Sequence, residues 1–232
     1  MNILKIDGTA LSGIYVDASL SFNKPEKDVE TYRVPGRNGD LVIDYGTWHN
    51  IVISYPCYIK GNFDTAFNDL CQTLGSLKGY HKIECTNDST HFRLGRVIVP
   101  MTPDATAYNK NGFFNLSFDC KPQRFLTSGE TEVIKNATGT ISNPTLFDAK
   151  PIIRVYGNGT VTVNGTGITL TNNTGYTDIE CEAMSCYYGT TSRNKDVTFS
   201  TNDFPVLSPG SNTLTFGTGI TQLRITPRWF EL

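Results

Sequence analysis

The stretch RVYGNGTVTVNGTGITLTNNTGYTDIEC, residues 154–181, constrains the fold more than any other part of the chain. Short runs of alternating apolar and polar residues are separated by Gly-Asn-Gly and by Asn-Gly. Alternation with a period of two indicates a strand with one buried face, and Asn-Gly favours a two-residue hairpin turn because both central residues of that turn need positive φ. Strands this short with turns this frequent predict a β-sandwich.

The N-terminal part carries strand signals and one clear helix signal. Apolar residues recur at helical period from Phe63 to Leu77, so we expect a helix over about residues 63–78 whose apolar stripe packs on a sheet. Asn62 or Asp64 can cap its start, and Gly79 can end it. Strand signals lie at residues 14–16, 20–22, 41–43, 51–55, 82–85, 92–94 and 96–99, in the half-buried pattern FFNLSFDC at 113–120, and at the closing stretch 222–232.

The density of charge divides the chain. Of the 42 residues that are Lys, Arg, Asp or Glu, 31 lie in residues 1–150 and 11 in residues 151–232. Residues 136–145 are small and polar and end in a proline turn, which is typical of a linker. We therefore expect two domains, at residues 1–138 and 139–232, with the helix in the first.

Composition limits the functions that the chain can have. The net charge of −2 gives no electrostatic reason to expect binding to nucleic acid or to an anionic membrane, and no segment approaches the roughly 20 apolar residues of a membrane span. Six widely spaced cysteines in a chain of 232 residues indicate reduced core thiols of a protein made in a cytoplasm. The three histidines do not cluster with them at metal-ligand spacing, so neither a metal site nor a cofactor is expected.

A dense group of turn-forming residues with one arginine lies between two strand signals. It does not match a phosphate-binding loop, because no Gly-Lys-Ser/Thr leads into a helix, and the chain contains no Gly-x-Ser-x-Gly. Asp40 and Asp44 share a strand face without a further acid or base. A rigid turn is the best interpretation, and its arginine is suited to pairing with a carboxylate or carbonyls on a neighbour. The candidate interface residues are Pro35, Gly36, Arg37, Asn38, Gly39 and Asp40.

Four motifs in register resemble one family. VPGRNGDL (34–41) resembles the signature loop of the distal tail proteins of long-tailed, non-contractile bacteriophages, and FDCKPQRFL (118–126) is similar to the end of their N-terminal domain. NPTLFDAKPIIRVYGNGTVTVNG (143–165) resembles the start of their galectin-like C-terminal domain. The pair NDFPVLSPGSNTLTF (202–216) and ITQLRITPRW (220–229) is similar to its closing strands.

This resemblance implies a mainly β fold, with a β-barrel-like N-terminal α+β domain followed by a galectin-like β-sandwich. It implies a structural virion protein made in the host bacterial cytoplasm. The protein would form a hexameric ring at the distal end of the tail tube and be the hub for assembly of the tail tip or baseplate. The expected partners are further copies of the chain, the tail-tube protein, tail-tip proteins and possible receptor-binding proteins, and DNA would pass through the channel without specific binding.

Two other classes of protein remain as alternatives. A sandwich domain could bind carbohydrate, for which clustered aromatic residues are needed, and the candidates are Tyr187, Tyr188 and Trp229. Trp229 is expected in the core or at a packed edge. A hydrolase would need paired carboxylates. Glu180 and Glu182 lie on one strand face, but a solvated edge explains them better, and no catalytic residue is assigned.

Overall fold

The computed structural model describes residues 2–17, 23–98, 103–106 and 111–232. The chain forms two compact units, one of residues 1–124 with Leu232 and one of residues 125–231. The second unit begins before the expected boundary at 138, because the strand Val133–Lys135 pairs with the strand Ile220–Thr226 inside that unit. The expected strand at 20–22 lies outside the described residues.

The first unit is built on an antiparallel sheet with one α-helix. Neighbouring strands run in the order β2-β1-β7-β8-β10-β6-β3, with β9 also pairing with β10, while β4 and β5 form a separate two-stranded sheet. The elements are β1 (Leu4–Ile6), β2 (Thr9–Ala10), β3 (Ile14–Val16), β4 (Lys27–Tyr32), β5 (Leu41–Trp48), β6 (Ile51–Lys60), α1 (Phe63–Ser76), β7 (His81–Cys85), β8 (Asp88–Ile98), β9 (Pro103–Thr106) and β10 (Asn111–Leu126).

The predicted helix is confirmed, although its start is not capped as expected. Four members of the apolar stripe are buried, Phe63, Phe67, Leu70 and Leu74. Asn62 has a φ of 43° and its side chain makes no capping hydrogen bond, so the expectation of an Asn62 side-chain cap is wrong. An N-cap side chain normally reaches the N–H groups of the first turn from an extended backbone, and the left-handed backbone of Asn62 does not provide that geometry. The helix ends at Ser76, before Gly79.

The central strand β10 shows how the sequence pattern becomes a core. Phe114, Leu116, Phe118 and Cys120 are buried, whereas Phe113 is 57% exposed, which confirms the half-buried strand predicted from the alternation. Burying each of these phenylalanine and leucine side chains contributes about 1.5–3 kcal/mol. The two signals at 92–94 and 96–99 belong to one strand, β8, as far as residue 98.

The second unit has two antiparallel sheets that share a core. One sheet has the order β11-β21-β13-β16-β17-β18 and the other β12-β20-β14-β15-β19, and buried residues of both sheets form one apolar cluster. The strands are β11 (Val133–Lys135), β12 (Gly139–Asn143), β13 (Ile152–Gly157), β14 (Gly159–Val163), β15 (Thr166–Leu170), β16 (Tyr176–Glu180), β17 (Ser185–Tyr188), β18 (Thr191–Ser192), β19 (Val197–Phe199), β20 (Gly210–Phe216), β21 (Ile220–Thr226) and β22 (Phe230–Glu231).

The two glycine-rich turns of the opening stretch have different roles. Asn164 and Gly165, with φ of 48° and 85°, join β14 to β15 as a hairpin, as the sequence predicts. Gly157-Asn158-Gly159 instead carries the chain from one sheet to the other. A Cβ at Gly157 would lie 2.1 Å from the Gly219 carbonyl oxygen, so this crossing requires glycine. The single closing strand expected at 222–232 is instead two strands, β21 and β22.

All six cysteines carry free thiols. Burial raises the pKa of Cys57, Cys120, Cys181 and Cys186 to about 12, so these groups behave as apolar core atoms at neutral pH. No helix in the described part of the chain is long and apolar enough to cross a membrane.

Candidate subunit interface

The segment of residues 27–48 forms an antiparallel hairpin that we call the hairpin arm. Its two strands pair with each other, with Tyr32 opposite Leu41 and Glu30 opposite Ile43. Neither strand pairs with another strand among the described residues. An isolated two-stranded sheet is marginally stable in water, and within the described part of the chain the arm has no further strand to stabilise it.

Both faces of the hairpin arm expose large apolar side chains. Residues opposite each other and residues two apart share a face. The arm holds seven of the fourteen exposed large apolar residues among the described parts of the chain, although it spans only residues 27–48. A concentration of this kind is typical of a protein interaction surface. One face carries Tyr32 (48% exposed), Leu41 (42%), Ile43 (39%) and Tyr45 (52%), and the other carries Val29 (43%) and Val42 (58%).

Two carboxylates of the arm, Glu30 and Asp44, have hydrogen-bond partners inside it. The Glu30 carboxylate accepts hydrogen bonds from the hydroxyls of Tyr32 (2.5 Å) and Tyr45 (2.8 Å). These bonds, that of Tyr32 first, lower the pKa of Glu30. Asp44 accepts a hydrogen bond from Lys27 and another from the Gly46 backbone N–H at 2.9 Å. The Lys27 bond is the larger cause of the lowered pKa of Asp44. The arm therefore presents two hydrogen-bonded carboxylates beside apolar surface.

The tip of the arm has the rigid turn expected from its sequence. The Arg37 backbone N–H donates to the Val34 carbonyl oxygen at 3.2 Å, and Gly36 between them has a φ of 82°. Pro35 followed by a glycine with positive φ is a type II turn. Gly39 also has positive φ, at 79°.

All six predicted interface residues, Pro35 to Asp40, are exposed at this tip. The Arg37 guanidinium makes no hydrogen bond or ion pair with any residue that the structure describes. A rigid turn with an exposed guanidinium can donate forked hydrogen bonds to carboxylates or carbonyls of another chain. The turn-forming sequence of this tip predicts a contact here but does not predict the apolar faces behind it. The signal was present in LVIDY (41–45), whose apolar residues point to both sides of one strand.

The three sugar-contact candidates do not form one exposed aromatic surface. Trp229 is only 5% exposed and belongs to the core of the second unit, so its ring is not available to a ligand. The Tyr187 hydroxyl donates to Glu180 at 3.2 Å. Tyr188 is 40% exposed and packs against Tyr176 with ring centroids 4.7 Å apart.

The acidic residues considered for a hydrolase are held in ion pairs. Glu180 lies 3.4 Å from Arg228, and Glu182 lies 3.7 Å from Lys150. Across residues 2–17, 23–98, 103–106 and 111–232, no three His, Cys, Asp or Glu side chains are grouped so that they could hold a metal ion. What the described residues do present is a hairpin arm suited to contact with another protein chain.

This architecture is shared with proteins of known structure. No protein family and no curated protein matches the sequence. Among solved structures, the chain is similar to the SPP1 Dit (gp 19.1) protein, described as a paradigm of the hub adsorption apparatus in phages that infect Gram-positive bacteria. That similarity covers 100% of both chains, with a TM-score of 0.69 and 15% identity.

A second similarity is to a chain of the phage p2 baseplate in its activated conformation. It covers 97% of both chains, with a TM-score of 0.54 and 10% identity. The two halves of the sequence thus match a single known architecture over nearly their whole length. The chain has the mainly β fold of the SPP1 Dit protein, and the mainly β fold class predicted from the sequence is confirmed.

Proposed function

We propose that this protein is a structural subunit of the hub at the distal end of a bacteriophage tail, where copies of the chain form a hexameric ring. The fold shared with the SPP1 Dit protein over the whole of both chains supports this, as do the four sequence motifs that resemble distal tail proteins. In the virion, the ring continues the tail tube and carries the tail-tip or baseplate proteins. The protein is not an enzyme in this proposal.

The observation that carries the proposal is the unpaired hairpin arm with apolar side chains on both faces. A closed ring uses two different surfaces of each subunit, one for each neighbour. The arm is one of these surfaces, and it docks on the next copy with the tip of residues 35–40 at the contact. Covering each exposed Val, Leu or Ile contributes up to about 1.5–3 kcal/mol, and the preformed tip loses little conformational entropy on docking.

The near-neutral charge agrees with a channel through which DNA passes. Neutralising phosphates with Lys and Arg would hold DNA in place with an affinity that depends on salt, whereas the chain has a net charge of −2. We propose that DNA passes without specific binding and that the neighbours in the assembly are the tail-tube protein and tail-tip proteins.

The interface is tested by placing charge on each face of the arm. Val42→Asp and Ile43→Asp introduce a carboxylate at positions that are exposed in the isolated chain, so each monomer should fold while the ring dissociates. Light scattering measures the mass, negative-stain images show whether six-fold rings form, and circular dichroism checks folding. The matched control is Leu146→Asp, at a residue that is 86% exposed and lies outside the arm, which should leave the ring intact.

Two results would overturn parts of this proposal. Wild-type protein that stays monomeric at tens of micromolar would contradict the hexamer. A Val42→Asp and an Ile43→Asp variant that both form rings as stable as those of the Leu146→Asp control would show that the arm is not at the contact.

A further inference from the structure

A small cavity lies in the first unit beside strand β8. Its volume is about 30 Å³. A water molecule needs roughly 10–15 Å³ of such volume, so the cavity holds about two particles of that size and is too small for a sugar ring or a nucleotide. Residues from β6, β7, β8 and β10 line it, among them Tyr55, Cys85, Asn87, Asp88, Arg93 and Arg124.

Arg93 is the unusual member of this lining. Its side chain extends from β8 into the interior, and the residue is only 7% exposed. The buried Nη1 atom has no hydrogen-bond partner among the described residues. Burial lowers the pKa of Arg93, but a guanidinium stays protonated in proteins. A buried positive charge without a compensating partner is strongly unfavourable.

The carboxylate that lines the same cavity is already occupied. Asp88 Oδ1 accepts from the Thr90 hydroxyl at 2.8 Å and lies 3.1 Å from His91 Nδ1. Its Oδ2 accepts from the Arg124 guanidinium. Burial of Asp88 opposes ionisation, but the hydrogen bonds from Arg124, His91 and Thr90 outweigh it and hold the pKa well below its usual range. Asp88 is therefore engaged by other donors, and Arg93 forms no ion pair with a carboxylate among the described residues.

We propose that this cavity binds a small monovalent inorganic anion of about the size of chloride, held by Arg93. Water would satisfy an N–H donor but would leave the positive charge uncompensated. A monovalent ion balances the charge of Arg93, and the small volume favours an ion of this size over larger anions such as nucleotides. The bound ion joins β8 to the neighbouring lining residues and stabilises the first unit independently of any ring assembly.

Chloride titration of the full-length protein tests the site. Sodium chloride replaces sodium gluconate at constant sodium concentration and pH, because gluconate is too large for the cavity. The thermal unfolding midpoint should rise with the logarithm of chloride concentration, as expected for a ligand that binds only the folded state. The ³⁵Cl NMR line should broaden in the presence of the protein.

Substitutions assign these effects to Arg93. Arg93→Met keeps an unbranched side chain of similar length without the charge, and should abolish both the chloride dependence and the line broadening. Arg96→Met is the matched control on the same strand, since Arg96 is an exposed arginine that pairs with Asp119 at 2.8 Å. This variant should keep both effects.

A measurement on the wild-type protein covers the case in which Arg93→Met does not fold. Crystals grown with sodium bromide should give an anomalous peak in contact with the Arg93 guanidinium. A wild-type protein without chloride dependence, line broadening or a bromide peak would show that only water fills the cavity. Equal chloride effects in folded Arg93→Met and wild-type protein, or a bromide peak elsewhere only, would equally overturn the proposal.

Discussion

Arg37→Ala separates the role of the arm tip in assembly from any role in folding. In the isolated chain the Arg37 side chain is exposed and has no partner among the described residues. Surface substitutions of this kind change the free energy of unfolding by about 0.5 kcal/mol or less. The thermal unfolding midpoint of the monomeric chain should therefore be nearly the same in the variant and the wild type.

The expected effect on the proposed contact is much larger. Removing one partner of a buried, hydrogen-bonded charge pair costs about 2–5 kcal/mol, much of it from the unpaired group left on the other side. Since 1.4 kcal/mol is a factor of ten in an equilibrium constant, each contact weakens by about 30-fold to several thousand-fold. A ring with six such contacts should dissociate at concentrations where the wild type is assembled.

Sedimentation velocity over a concentration series measures this dissociation directly. Arg37→Lys keeps the charge but loses the planar fork, so it should weaken the ring less than Arg37→Ala does. Lys78→Ala, which removes an exposed cation outside the arm, is the control and should assemble like the wild type. An Arg37→Ala protein that is fully hexameric at low micromolar concentration and moderate salt would refute a buried role for this guanidinium.

Two further predictions concern the interior of the protein. Under native conditions iodoacetamide should modify the half-buried Cys71 first and Cys57 slowly, because burial raises the pKa of the Cys57 thiol to about 12. After denaturation, mass spectrometry should find six modified thiols. A Cys181–Cys186 disulfide in fresh protein would contradict this prediction. Gly157→Ala should lower the thermal unfolding midpoint, because the strained backbone costs about 1–3 kcal/mol and the added Cβ clashes with the Gly219 carbonyl. Gly75→Ala should leave the midpoint unchanged, because a Cβ added there meets nothing within 4 Å. Equal midpoints for the two variants would refute the close approach of the strands.

The parts of the fold that were predictable are those set by local patterns. The alternation in residues 113–120 and the helical stripe beginning at Phe63 each report which side chains face a core. Asn164-Gly165 specifies a hairpin because the turn itself needs positive φ. In each case neighbouring residues alone determine the backbone, so the sequence contains the whole signal.

The features that the sequence did not reveal depend on residues far apart in the chain. Gly157-Asn158-Gly159 has the composition of a hairpin turn, but it crosses between sheets because residues 218–220 pack against it. Arg93 lies in an ordinary strand pattern, and its burial depends on where β6 and β10 are placed. The Phe92 and Arg93 side chains are both buried, beside the place where the pairing of β7 and β8 changes register, and simple alternation does not predict this.

The polar contacts of the hairpin arm lower the desolvation cost of covering it. Asp44 brings its own counterion, Lys27, to an interface, and Glu30 keeps hydrogen bonds from the neutral hydroxyls of Tyr32 and Tyr45, so both carboxylates retain polar partners when water is removed. Arg37 is different, because its guanidinium has no such partner within the described part of its own chain. Apolar faces can slide or rotate against a neighbour, since the hydrophobic effect is not directional. A forked guanidinium at the tip accepts only one arrangement of oxygen atoms. In the proposed ring the apolar faces therefore supply most of the affinity, while Arg37 fixes the orientation in which six copies can close.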